Sequence, residues 1–153
     1  MKSLLIDLDK CALCSNCDVK CNYPCHEENN GMLALKEILI FKYICRHCEK
    51  PLCVEICPKN ALKKENGIIK RYSLLCTGCE LCLIVCPFGV ITKDILTIKT
   101  SVCDLCKDRD PICAETCKYN AIKFGKIKED PKNHIYKFKE GLYVHYTPWK
   151  KET

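Results

Sequence analysis

Apolar and polar positions alternate over Leu4–Lys10 (LLIDLDK), which predicts a short strand leading into a cysteine-rich loop. Met32–Tyr43 (MLALKEILIFKY) is apolar enough for an amphipathic helix or a strand. Leu33, Leu35, Ile38, Leu39 and Phe41 fit neither period cleanly, so both types stay open. Asn66-Gly67, between Lys63-Lys64-Glu65 and Ile68-Ile69-Lys70, predicts a hairpin. Asp94–Thr100 (DILTIKT) alternates and predicts another strand. Tyr23-Pro24 and Asn29-Asn30-Gly31 read as turns. Residues 123–153 lack cysteine and read as a basic, aromatic tail carrying Phe124, Tyr136, Phe138, Tyr143, Tyr146 and Trp149. Such a segment suits a partner interface or packing back over the body of the protein. Docking is favoured because the body is small and the tail is long.

Cysteines punctuate this pattern. The chain has 153 residues and 17 cysteines, sixteen of which fall into four groups. Group I is Cys11, Cys14, Cys17 and Cys21, with Asn22 after it. Group II is Cys45, Cys48, Cys53 and Cys57, followed by Pro58. Group III is Cys76, Cys79, Cys82 and Cys86, followed by Pro87. Group IV is Cys103, Cys106, Cys113 and Cys117, followed by Lys118. Groups I and III share the spacing C-x2-C-x2-C-x3-C, and groups II and IV lengthen only the middle gap. CPKNAL, CPFGVI and CKYNAI after groups II, III and IV are one repeated corner. The repeating unit is a cysteine loop, a helical turn over its third and fourth cysteines, and a strand. Cys25 belongs to no group and reads as a buried or surface thiol rather than a substitute ligand. His26 reads as solvated. His47 lies inside the group II loop, where it either tunes a metal centre or is incidental and exposed.

The apolar fraction of 48% counts the cysteines, so the supply for a large core is thin and metal or disulfides must help the fold. Met1–Asp9 has too short an apolar run, with acidic residues in it, for a secretory leader, and the cysteine total is odd. A reducing cytoplasm is therefore expected, where dense cysteine means metal or redox work. No apolar run approaches a membrane span. Zinc sites use two separated C-x2-C pairs and have no need of a third and fourth closely spaced cysteine. The C-x2-C-x2-C-x3-C-P run instead wraps [4Fe–4S] clusters, three cysteines serving one cube and the fourth its neighbour. No C-x2-C-H, G-x-G-x-x-G or P-loop occurs, which gives haem attachment and nucleotide binding no support. The formal charge of +6 treats cysteines as neutral. Thiolate-held clusters offset it, so the lysines do not read as a nucleic-acid footprint.

In these four motifs, over about Leu4 to Ile122, the chain resembles the four-cluster iron–sulfur subunits of the DMSO reductase/formate dehydrogenase family. CRHCEKPLCVEICP (Cys45–Pro58) and CDLCKDRDPICAETC (Cys103–Cys117) are especially similar to that family's second and fourth motifs. The resemblance implies an α+β, loop-rich fold of two interleaved bacterial-ferredoxin-like dicluster modules with short strands and helical turns. The outer module is 1–25 plus 92–122 (motifs I and IV) and the inner is 44–91 (motifs II and III). Residues 26–43 connect them and 123–153 form the tail. It also implies four [4Fe–4S] clusters. Cluster 1 takes Cys11, Cys14, Cys17 and Cys117, and cluster 2 takes Cys21, Cys103, Cys106 and Cys113. Cluster 3 takes Cys45, Cys48, Cys53 and Cys86, and cluster 4 takes Cys57, Cys76, Cys79 and Cys82. Asn22 and Lys118 depart from the family's proline, both in the I/IV pair.

Three functions follow as expectations. The first is an electron-transfer subunit, not itself an enzyme, wired between a large catalytic oxidoreductase subunit and an external carrier. A tungsten- or molybdenum-pterin aldehyde oxidoreductase is the preferred partner, ahead of hydrogenase, carbon monoxide dehydrogenase or formate dehydrogenase. The second is a free polyferredoxin. The third is an enzyme with an open iron site, which full commitment of the motif cysteines disfavours.

Overall fold

The computed structural model describes residues 2–14, 17, 19–21, 31–96, 103, 105–106 and 110–148. Asn22, Cys25, His26, the turns expected at Tyr23-Pro24 and Asn29-Asn30, and Trp149 lie outside the described residues. The chain forms two units, Met1–Asn22 with Asp104–Thr153, and Tyr23–Cys103. Both contain helices and strands, so the class is mixed α+β.

In the first unit, strand β1 (Ser3–Asp7) turns directly into the short helix α1 (Leu8–Cys11). The predicted alternation holds through Asp7, with Leu4 and Ile6 buried, and the strand expected to reach Lys10 gives way to helix at Leu8. Asp7 ends the strand by capping the helix, its carboxylate accepting the Lys10 N–H at 3.2 Å. The second unit begins, among its described residues, with helix α2 (Gly31–Leu39), which runs into a single π turn at Ile40–Ile44. The turn ends where the Cys45 N–H reaches the Ile40 carbonyl at 2.9 Å. The open choice at Met32–Tyr43 thus resolves as helix. Its period is blurred because Lys36 and Glu37 are buried along with Met32, Leu35 and Leu39.

Helix α3 (Leu52–Ile56), strands β2 (Leu62–Glu65) and β3 (Ile68–Arg71), helix α4 (Leu81–Val85) and helix α5 (Lys93–Leu96) follow among the described residues of the second unit. β2 and β3 form the predicted Asn66-Gly67 hairpin, with Leu62 opposite Arg71. The strand expected at Asp94–Thr100 is not seen in its described part, which is α5. Asp94, Ile95 and Leu96 are all buried, and three consecutive buried residues suit a helical turn packed on α2 better than a half-exposed strand.

Helix α6 (Ile112–Thr116) and strands β4 (Ile122–Gly125), β5 (Ile135–Lys139) and β6 (Leu142–His145) belong to the first unit. Their sheet has the order β4-β1-β6-β5, with β1 antiparallel to β4 and parallel to β6. The segment expected as a tail therefore supplies strands beside β1. Leu142 and Val144 are fully buried, each burial removing enough apolar surface to be worth about 1.5–3 kcal/mol. Outside the sheet core, the Tyr136 and Tyr146 rings meet at 5.2 Å.

Candidate metal centres

The third cysteines of groups II, III and IV lie inside short helices, Cys53 in α3, Cys82 in α4 and Cys113 in α6. Each fourth cysteine, Cys57, Cys86 or Cys117, ends its helix in extended backbone. The repeated corner then follows. Three residues past the last cysteine, Asn60, Gly89 and Asn120 have φ of 52°, 62° and 52°. Their N–H groups return to the carbonyls of Cys57, Cys86 and Cys117 at 3.3, 3.4 and 3.3 Å. Asparagine and glycine are the residues that tolerate this left-handed geometry. Inside the Cys-x-x-Cys loops, the second intervening residue is also left-handed in groups II, III and IV, at His47, Gly78 and Leu105.

Strand pairing brings the groups together. In the second unit the Tyr72 N–H donates to the Ala61 carbonyl at 2.7 Å. Cys57 precedes Ala61 by four positions and Cys76 follows Tyr72 by four. In the first unit the Asp7 N–H donates to the Ala121 carbonyl, also at 2.7 Å. Cys117 precedes Ala121 by four positions and Cys11 follows Asp7 by four. The same register therefore joins group II to group III and group IV to group I. A second tie links Cys21 to Cys117, because the Lys20 N–H donates to the Thr116 hydroxyl at 3.1 Å. Cys103 is the last residue of the second unit.

Two sulfur nests are legible in the second unit. Cys45, Cys48, Cys53 and Cys86 lie close enough for their charges to repel, and burial followed by this repulsion raises the Cys53 thiol. Burial also raises Cys45, against the His47 N–H that donates to it. Cys57, Cys76, Cys79 and Cys82 line one cavity of about 370 Å³, its open mouth included. Burial pushes the Cys82 thiol up to about 11, with Cys76 and Cys79 adding to the shift. Cys57 goes the other way. Burial works to raise it, but the N–H groups of Ala61, Lys59, Leu62 and Asn60 outweigh burial and lower it. The Ala61 N–H lies 3.3 Å from its sulfur.

These donors fit a soft, thiophilic centre. A tetrahedral zinc needs four sulfurs about 3.8 Å apart, given a Zn–S bond near 2.3 Å. Among the described residues no three cysteine sulfurs lie within 4.8 Å of one another. No three described cysteines are therefore drawn in tightly enough to hold a single tetrahedral ion.

Sequence reasoning missed several side chains around these nests. Arg71 lines the cavity beside Cys76. Its signal was the two-residue period of β3, which places it on the buried face with Ile69. Lys64 donates to the Cys48 carbonyl at 2.7 Å, and its charge works against the upward shift of the Cys45 thiol. The His47 ring is not incidental. Its Nε2–H donates to the Phe41 carbonyl at 2.8 Å, fixing the loop, while its backbone serves Cys45.

Paired cysteine loops on shared strand registers, with four cysteines gathered in each nest, define a cluster-binding protein. Residues 36–127 match the family model described as "4Fe-4S dicluster domain". The sequence is 31% identical to the B subunit of anaerobic dimethyl sulfoxide reductase from Shigella flexneri, over 84% of this protein and 75% of that one. It is 29% identical to thiosulfate reductase electron transfer subunit PhsB of Salmonella typhi, over 82% and 76%. With putative electron transport protein YsaA of Escherichia coli (strain K12) it shares 31%, over 86% and 94%. This protein belongs to the 4Fe-4S dicluster family of iron–sulfur subunits, and [4Fe–4S] clusters are its cofactors. No described helix is long and apolar enough to cross a membrane.

Proposed function

We propose that the protein holds four [4Fe–4S] clusters in two ferredoxin-like modules and conducts electrons between a catalytic partner subunit and an external carrier. The observation that carries this reading is the repeated register, which presents group II to group III as it presents group IV to group I. The ligand sets are Cys11, Cys14, Cys17 and Cys117; Cys21, Cys103, Cys106 and Cys113; Cys45, Cys48, Cys53 and Cys86; and Cys57, Cys76, Cys79 and Cys82. The nests around Cys45 and Cys82 support the third and fourth sets. The clusters supply one-electron redox chemistry. The protein's own task is to hold them, bury them and set their potentials through hydrogen bonds and charge.

Cys79 is exposed, and Leu74, Leu75, Leu81 and Ile84 around it in sequence are exposed apolar residues. That end of the second unit suits docking of a redox partner. The partner is a large molybdenum- or tungsten-pterin oxidoreductase subunit. Relatives named as dimethyl sulfoxide and thiosulfate reductase subunits favour a reductase over the aldehyde oxidoreductase expected from sequence. The thiols and clusters suit a reducing cytoplasm. A free polyferredoxin is the second reading. It is favoured by the relative named uncharacterized ferredoxin MJ0265 of Methanocaldococcus jannaschii, 30% identical.

Anaerobic purification with iron and sulfide analysis tests the count, and roughly 16 iron per chain is expected. Roughly 12, or a three-iron signal in the isolated protein, overturns the ligand sets. Co-purification of a stoichiometric large subunit supports the wire, and a cluster-loaded monomer supports the free carrier.

A further inference from the structure

The two units share a register but fill one position differently. Ile6 stands five residues before Cys11, and Arg71 stands five before Cys76. They occupy the same point of the two ladders, Ile6 opposite Ile122 and Arg71 opposite Leu62. Ile6 is fully buried, and the Arg71 side chain is only 1% exposed. Ile6 shows that a hydrocarbon serves the fold at this point. A buried guanidinium is costly unless it is paired, so its presence in one unit calls for a reason beyond packing.

Its partners show what it is aimed at. Nε and Nη2 bind the two oxygens of Glu37 at 2.6 and 3.0 Å, and Nη2 also donates to the Ile95 carbonyl at 2.8 Å. This fork fixes the guanidinium plane. The same group lines the cavity together with Cys57, Cys76, Cys79 and Cys82, near enough to Cys76 for opposite charges on the two to attract. We propose that Arg71 raises the reduction potential of the cluster held by Cys57, Cys76, Cys79 and Cys82, with Glu37 orienting it and limiting its effect. The inference rests on the ligand assignment above. Reduction adds one negative charge to a cluster, and a desolvated cation against a ligand sulfur stabilises that added charge. The equivalent position near Cys11 and Cys117 carries Ile6 and offers no such charge. Exchanging arginine for isoleucine is therefore one way the protein gives two equivalent clusters different potentials.

Arg71 is a positioning and tuning residue, and its test is a potential. The full-length holoprotein is titrated with redox mediators and followed by EPR. Arg71→Met is expected to lower one cluster's reduction equilibrium about tenfold, about 59 mV for a one-electron couple. Arg71→Lys, which keeps the charge, is expected to shift it less. Glu37→Gln removes the opposing charge and is expected to raise the same potential. A purely structural ion pair predicts two destabilised variants and no opposite shifts. If Arg71→Met loses iron, Glu37→Gln and Arg71→Lys carry the test alone. An unchanged or lowered potential in Glu37→Gln, with iron intact, overturns the inference and leaves the four-cluster reading standing. Wild-type iron well short of roughly 16 per chain overturns the ligand assignment, and this inference with it.

Discussion

Lys36 Nζ lies 2.9 Å from Asp94 Oδ2, with the two side chains 4% and 3% exposed. The pair joins α2 to α5 within the second unit. Removing one partner leaves the other as an uncompensated buried charge. Lys36→Met is expected to cost about 3–5 kcal/mol, whereas Lys36→Met with Asp94→Leu is expected to cost far less. Urea unfolding of the single and double variants checks this. A double variant as unstable as the single would mean that packing, not charge, dominates here.

The same pair sets a pH dependence. Burial works to raise the Asp94 carboxyl, but the Thr92 hydroxyl, the Lys36 ammonium and the Ile95 N–H outweigh it and hold the group below its usual 3.8. The unfolded chain therefore takes up this proton at higher pH than the folded protein. The stabilisation is complete above pH 3.8 and is lost as pH falls through the lower folded-state value. Asp94→Asn is expected to be less stable than wild type at neutral pH, with the gap narrowing below 3.8. Paired unfolding curves over that range measure the gap, and a constant gap contradicts the linkage.

The repeated corner predicts an asymmetry between glycine and asparagine. Gly89 has φ of 62°, and a Cβ there would meet nothing within 4 Å. Gly89→Ala is thus expected to cost only the left-handed backbone penalty, about 1–2 kcal/mol. Asn60→Gly, at φ 52°, is expected to stay within about 0.5 kcal/mol of wild type. Thermal unfolding of both variants decides it. A large loss in Asn60→Gly would give the asparagine side chain a role of its own.

The β6 strand provides the sharpest test of the C-terminal segment. Leu142 is fully buried next to β1, and Leu142→Ala is expected to cost about 2–5 kcal/mol. Loss should concentrate in the first unit, read as faster amide exchange over Ser3–Asp7. If that segment were only a docking arm, the substitution would leave exchange in β1 unchanged.

The cluster chemistry was legible in the sequence itself. Cysteine spacing is a local property, and loops such as Cys76–Cys82 carry their ligand geometry with them. The Asn66-Gly67 hairpin and the β1 alternation were legible for the same reason, since turn conformation and two-residue periods are set by neighbours. What lies far apart in sequence was decided only in three dimensions. LYVH at 142–145 alternates, yet nothing local says that Leu142 and Val144 cover β1, which lies more than a hundred residues earlier. Arg71 looks like a surface charge beside Lys70 until Glu37 and Ile95 close around it. Lys36 and Glu37 blurred the helical period of α2 because their partners, Asp94 and Arg71, come from other elements. The sequence determined that the protein gathers thiolates for iron–sulfur clusters. Tertiary packing decided which charges are taken out of water beside them, because burying a charge depends on partners that local sequence cannot supply.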